Sequence, residues 1–135
     1  AGIIHLWFVT IHPFEDGNGR LARILSELAL AQYENNCIRL YSLSSTFMDK
    51  RKEYYAMLEQ TQRGGLDITA WLSWFLNILR LSIIESLDRI DKVLYKSQFW
   101  RIHREIDFLP SQKKVLNIVL NSETSQFKDG ISANQ

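Results

Sequence analysis

Near the start of the chain, twelve residues gather a histidine, two carboxylates, two glycines, an asparagine and two arginines: His12-Pro13-Phe14-Glu15-Asp16-Gly17-Asn18-Gly19-Arg20-Leu21-Ala22-Arg23. Gly17 and Gly19 can take positive φ and let the backbone approach a ligand closely. A helix entered just after them presents unpaired N–H groups and the positive end of its dipole, which suits an anion. With Arg20 opening that helix, Arg23 lies three residues on along the same side. Both guanidinium groups then reach oxygens of one polyphosphate. Asp16 suits a Mg²⁺ that bridges phosphate oxygens, because that ion needs only one or two protein carboxylates besides its substrate. His12 remains as the group to take a proton from an attacking hydroxyl near neutral pH.

The pattern is neither a Walker P-loop nor the Gly-x-Gly-x-x-Gly turn that follows a strand. It joins two helices. Ile3, Ile4, Trp7, Phe8 and Ile11 recur at helical spacing, and Pro13 disfavours helical backbone at His12. Leu21, Ile24, Leu25, Leu28 and Ala31 or Gln32 give a second helix that ends near Asn35-Asn36. Ser42, Ser44 and Ser45 offer caps for a third, carrying Phe47, Tyr54, Met57 and Leu58 on neighbouring faces, with Arg51 a further candidate there, up to Gly64-Gly65. Asp67 caps a long fourth, with Trp71, Leu72, Phe75, Leu79, Ile83, Leu87, Ile90 and Leu94 along its apolar side. After a break at Pro110 a short helical pattern runs through Val115, Leu116, Ile118, Val119 and Leu120, and a polar tail follows from Ser122. Alternating strand patterns are nearly absent, so the class is all-α.

The chain has 135 residues, the size of one domain, and its 46% hydrophobic content argues against disorder. A net charge of +1 provides no chain-wide field for nucleic acid or an anionic membrane, so phosphate chemistry has to be local. The single cysteine, Cys37, excludes an intrachain disulfide and fits a reducing compartment, so a cytoplasmic protein is expected. Ser73, Asn77, Arg80 and Ser82 interrupt the longest apolar stretch, which reads as a buried helix and not a membrane span.

The segment His12–Arg23 resembles the signature of the Fic (filamentation induced by cAMP) proteins, His-Pro-Phe-x-Asp/Glu-Gly-Asn-Gly-Arg-x-x-Arg, at every fixed position. The resemblance continues in Ile4-His5-Leu6-Trp7-Phe8, Tyr41-Ser42-Leu43-Ser44, Arg51 to Tyr55, Asp67 to Trp71 and Phe99-Trp100. It implies a Fic-type helical bundle with the active loop between two core helices, and transfer of AMP from ATP to a Ser, Thr or Tyr hydroxyl of a target protein. On that likeness His12 is the base and Asp16 holds Mg²⁺ on the α and β phosphates. The amides of Gly17, Asn18 and Gly19 form the anion nest, Arg20 clamps the β phosphate and Arg23 reaches the γ phosphate. Tyr54 lies beside the adenine, and Gln62, eight residues on, makes a polar nucleotide contact.

The chain departs from its relatives in two ways. Nothing precedes the signature helix that matches the further helices and β-hairpin flap that align a target by strand addition. The autoinhibitory pattern Ser/Thr-x-x-x-Glu-Gly/Asn is also missing: Glu34-Asn35 comes nearest, and Leu30 stands where Ser or Thr is required. A Fic core over 1–108 and the start of a winged helix-turn-helix-like segment over 109–135 are expected, with the chain read as a fragment cut at both ends; Ser111-Gln112 stands where relatives have Arg-Gln. ATP and a hydroxyl-bearing protein are the expected partners, with no membrane, nucleic acid only if a complete winged helix follows, and self-association left open. The alternative is a catalytically silent piece that binds nucleotide or a protein partner, or a DNA-binding regulatory piece.

Other residues read as structural. His5 sits among apolar residues and His103 in a charged stretch, so packing or solvation accounts for both. Phe14 is expected to pin the loop to the core, Glu15 and the run Lys50-Arg51-Lys52 to be solvated, and Cys37 to be an inert thiol.

Overall fold

The computed structural model describes residues 1–34 and 40–121. Its elements are α1 (Gly2–Ile11), α2 (Asn18–Glu34), α3 (Leu43–Asp49), α4 (Arg51–Arg63), α5 (Thr69–Ile102) and α6 (Pro110–Asn121), with no strand among the described residues. The all-α expectation holds. The expected helix end at Asn35-Asn36, the Glu34-Asn35 pair in part, Cys37 and the tail from Ser122 lie outside the described residues. The chain divides into two compact units, Ala1–Ser86 and the part from Leu87 onward, a division that falls within α5.

Several elements depart from the sequence reading. The single helix expected after Ser42 is two, because Lys50 leaves helical geometry at φ −99° and ψ 24°. Ser42 does cap α3, its Oγ accepting the Ser45 N–H at 3.3 Å. The bend brings Phe47 of α3 and Tyr54 of α4 edge to face, ring centres 5.2 Å apart, and it carries no glycine or proline to announce it. Asp67 caps α5 as expected: its Oδ1 accepts the Thr69 N–H at 2.9 Å, and these bonds hold its carboxyl below the usual range. On α5 the buried stripe is Trp71, Phe75, Ile78, Ser82 and Ser86, whereas Ile83, Leu87 and Leu94 of the expected stripe are exposed. The break expected at Pro110 follows the end of α5 at Ile102, and Pro110 itself is the first residue of α6, as its preset φ and missing N–H allow.

The first unit centres on Leu6, Leu43, Phe47, Leu58, Trp71, Phe75 and Ile78. Gly2 lets α5 come close to α1: a Cβ there would stand 3.1 Å from the Phe75 ring, and Trp71 Nε1 donates to the Gly2 carbonyl at 2.8 Å. α2 buries a narrow row of small or polar residues, Asn18, Ala22 and Ser26, spaced four apart. The large residues Leu21, Ile24 and Leu28, and on α1 Ile3, Ile4, Trp7 and Ile11, remain exposed. In the second unit, Trp100 meets Phe99 and Phe108 edge to face, and Lys96 Nζ donates to Asn121 Oδ1 at 3.0 Å.

His5 is fully buried inside the first unit. Its ring stacks on Phe47 at 5.1 Å, and its two nitrogens lie 3.1 Å from Ser26 Oγ and 3.0 Å from Tyr54 Oη. Ser26 Oγ donates its one proton to the Ala22 carbonyl at 2.7 Å, so toward His5 it accepts. Nδ1 therefore carries the proton, and Nε2 accepts from the Tyr54 hydroxyl. Burial, with the charge of Arg23 second, pushes the His5 pKa from 6.5 down to about 4. The unfolded chain takes up a proton below pH 6.5 that the folded chain refuses until about pH 4. Stability contributed by the neutral ring is therefore complete above 6.5 and falls as pH drops through that window, by about 3 kcal/mol at most. Urea midpoints at pH 7.5 and 4.5 should show that decline in the native chain and a clearly smaller one in His5→Gln.

Candidate active site

The loop begins where α1 ends. His12 closes the helix in left-handed backbone, φ 50° and ψ 56°, and its N–H donates to the Phe8 carbonyl at 3.1 Å. For a residue with a Cβ that conformation costs about 1 kcal/mol, and it leaves the imidazole exposed beside the loop. Gly17 is the other residue with positive φ among the described residues, at 85°, and its carbonyl accepts the Leu21 N–H at 2.9 Å to open α2. Gly19 is helical and has nothing within 4 Å of its missing Cβ, so positive φ is needed at one of the two glycines and not at both.

Asn18 does more than lend an amide. Its side chain is buried: Oδ1 accepts the Phe14 N–H at 3.1 Å and Nδ2 donates to the Phe14 carbonyl. One amide group thus closes the loop on itself. Phe14 itself is 52% exposed, so the expectation that its ring pins the loop to the core is corrected. The loop is held through the Phe14 backbone, and the ring lies 6.3 Å from that of Phe8.

α2 begins at Asn18, two residues earlier than expected, and this changes where the arginines sit. Arg20 Nη2 pairs with Asp16 Oδ2 at 3.0 Å, both side chains largely in solvent. Arg23 turns the other way, its Nε donating to the Gly19 carbonyl at 3.2 Å. It lines a cavity of about 200 Å³ with Gly19, Phe47, Met48, Arg51, Tyr54 and Tyr55. The structure thus brings Gly19, Arg23 and Tyr54 together, while His12, Asp16 and Arg20 lie on the exposed loop and first turn. Gln62 lines a different cavity of about 340 Å³ with Leu6, Trp7 and Thr10, and its Nε2 donates to Thr10 Oγ1 at 3.1 Å. The Tyr54 hydroxyl is held by His5, and its pKa is pushed up to about 12, first by burial and then by neighbouring Tyr55, with Arg23 opposing.

Phe47, Met48, Arg51 and Tyr55 line the cavity of Arg23 and Tyr54 too, and none of them is a site residue in the sequence reading; Arg51 is the first residue of α4, directly after the bend at Lys50. As to a metal, no group of three His, Cys, Asp or Glu side chains gathers among the described residues. Asp16 is a single accessible carboxylate, a donor set that fits Mg²⁺ only where phosphate and water supply the other ligands.

The model of the Fic/DOC family matches residues 1–30, which contain the whole of the loop just described. A probable protein adenylyltransferase of Aquifex aeolicus is 34% identical over 86 residues, covering 64% of this chain and 24% of that protein. The protein adenylyltransferase fic-1 of Caenorhabditis elegans is 38% identical over 66 residues, 49% of this chain and 12% of that protein. A Fido domain-containing protein of Dictyostelium discoideum is 58% identical over 33 residues, 24% of this chain and 22% of that protein. The chain spans about a quarter or less of the length of these relatives.

Removing the Asn18 side chain leaves the Phe14 N–H and carbonyl unpaired, at a cost of about 1 to 3 kcal/mol. Asn18→Ala should lower the denaturant midpoint accordingly and speed proteolysis between residues 12 and 18. Asn18→Asp, which keeps the acceptor and loses the donor, should fall between it and the native chain.

Proposed function

We propose that this chain, a Fic family protein by the segment its family model matches, transfers AMP from ATP to a Ser, Thr or Tyr hydroxyl of a target protein. What carries the reading is the closed loop between α1 and α2, which sets an accessible imidazole at one end and two arginines at the other. In the proposed step the target hydroxyl oxygen bonds to the α phosphorus and the bond to the β-phosphate oxygen breaks. Pyrophosphate leaves, and the hydroxyl proton passes to His12. Asp16 would hold a Mg²⁺, which would supply charge neutralisation to the phosphates. The amides of Gly17, Asn18 and Gly19 would cradle phosphate oxygens, Arg20 would take the β phosphate and Arg23 the γ phosphate. Tyr54 would border the adenine, and Gln62 would add a polar contact to the nucleotide.

Arg20 and Asp16 are already paired, which leaves neither group for nucleotide or metal unless phosphate can displace the pair. Magnitudes decide this. An exposed ion pair contributes about 0 to 1 kcal/mol, whereas a hydrogen bond from a charged group to phosphate contributes about 1.5 to 3. Phosphate wins, and Asp16 is freed for the metal. The same residues that bind each other in the ligand-free chain can therefore divide between phosphate and Mg²⁺.

ATP labelled at the α phosphate separates the readings: label on protein supports transfer, and binding without label supports the silent piece. His12→Ala should abolish labelling and leave the Kd for ATP nearly unchanged, since the base acts on the attacking hydroxyl; an equal loss of binding would make His12 structural. Arg20→Ala should weaken ATP binding by about 1.5 to 3 kcal/mol, read by calorimetry. An unchanged Kd would remove Arg20 from the site.

A further inference from the structure

We infer that Arg51 is a nucleotide-binding residue which, lining one cavity with Arg23, grips the terminal phosphate of the bound nucleotide. The inference rests on the proposed function, because it takes the anion to be that of ATP. Three observations carry it. Arg23 from α2 and Arg51 from the first turn of α4 line one cavity, together with Gly19, Tyr54 and Tyr55. Neither arginine has a carboxylate within ion-pair distance among the described residues, whereas Arg20, Arg63 and Arg104 each do. Arg51 also stands 5.6 Å over the Tyr55 ring, a placement that holds its guanidinium at the cavity rim before any ligand arrives.

Two uncompensated like charges facing one cavity repel each other, and an anion between them turns that repulsion into two attractions. Planar guanidinium groups favour phosphate for this, since each can present two parallel N–H donors. The cavity, about 200 Å³, lies below the range of about 300 Å³ upward that holds a whole small-molecule ligand, so it takes one end of a nucleotide and leaves the rest outside. Tyr54 and Arg23 line the same cavity, which is too small for both the adenine and the γ phosphate, so only one of their two proposed contacts can be made in it. The charge of Arg23 sets the end it takes as the γ phosphate, and the adenine contact of Tyr54 gives way here. AMP has no group to reach that point. Arg51 therefore sets selectivity for ATP over AMP.

Equilibrium binding of ATP and AMP to the full chain, to Arg51→Ala and to Arg51→Lys tests this. Arg51→Ala should weaken ATP about tenfold and leave AMP within about twofold, with Arg51→Lys between; a thermal midpoint matching the native chain's would show that the fold is intact. ATP affinity unchanged in Arg51→Ala, with the native chain binding ATP, would overturn the role of Arg51 and leave the proposed function standing. Equal losses for ATP and AMP would overturn it too, by making Arg51 a packing residue. A native chain that binds neither nucleotide would overturn both readings.

Discussion

The neutral, fully buried imidazole of His5 ties the first unit together. It belongs to α1, donates to Ser26 on α2, accepts from Tyr54 on α4 and stacks on Phe47 of α3. A ring with two hydrogen-bonding nitrogens and two faces is one of few side chains that can engage three other helices at once. Its partners are not interchangeable, because the Ser26 proton goes to the Ala22 carbonyl and that fixes which nitrogen donates. The same row of α2 that grips His5, Asn18–Ala22–Ser26, ends at the residue whose side chain closes the loop. The packing of α1 on α2 and the shape of the loop are thus set by one face, with His12 following α1 on one side of it and Arg23 lying beside it on the other.

Burial separates the bonds that hold this arrangement from those that can be exchanged. Losing a partner in the His5–Ser26–Tyr54 network strands a buried polar group, at about 1 to 3 kcal/mol, whereas the exposed Arg20–Asp16 pair contributes at most about 1. The frame therefore keeps its geometry while the charged groups around it trade partners. The aromatic side chains strengthen the contrast: Phe47, Tyr54, Trp71 and Trp74 sit with ring centres between 5.2 and 6.3 Å apart, so the wall behind the cavity is close-packed.

Much of this was legible in the sequence, for local reasons. Pro13 after an apolar helix, Ser42 and Asp67 as caps, and the loop composition each act within a few residues, and a sequence displays such signals directly. What could not be read depends on contacts across the chain. The bend at Lys50 has no breaker residue; it serves the Phe47–Tyr54 contact around His5, which lies more than forty residues away. The buried face of α2 was hidden for a related reason: small residues let helices approach closely, so Ala22 and Ser26 are inside while the larger Ile24 and Leu28 are out. Periodicity finds a stripe of large apolar residues, and here that stripe is not the one the helix buries. Arg51 stands in a basic run whose composition reads as solvated, and only the folded chain makes it line one cavity with Arg23.

The field of Arg23 reaches beyond the cavity. Its charge lowers the His5 pKa and opposes the rise at Tyr54, so the two residues that form the cavity's inner support already feel the guanidinium that faces its mouth. An anion beside Arg23 cancels part of that field and thereby favours protonation of His5. Protonation would place a donor on Nε2 where the Tyr54 hydroxyl now donates, and the hydroxyl would have to turn its proton away and accept instead. Burial prevents this: it is the larger cause of the lowered His5 pKa, and it does not change when the anion binds. With about two and a half pH units separating the folded value from 6.5, cancelling the smaller cause still leaves His5 neutral near pH 7. The support for the cavity is accordingly insulated from the charge of what enters it, and the exchange of partners stays confined to Asp16, Arg20, Arg23 and Arg51 at the surface.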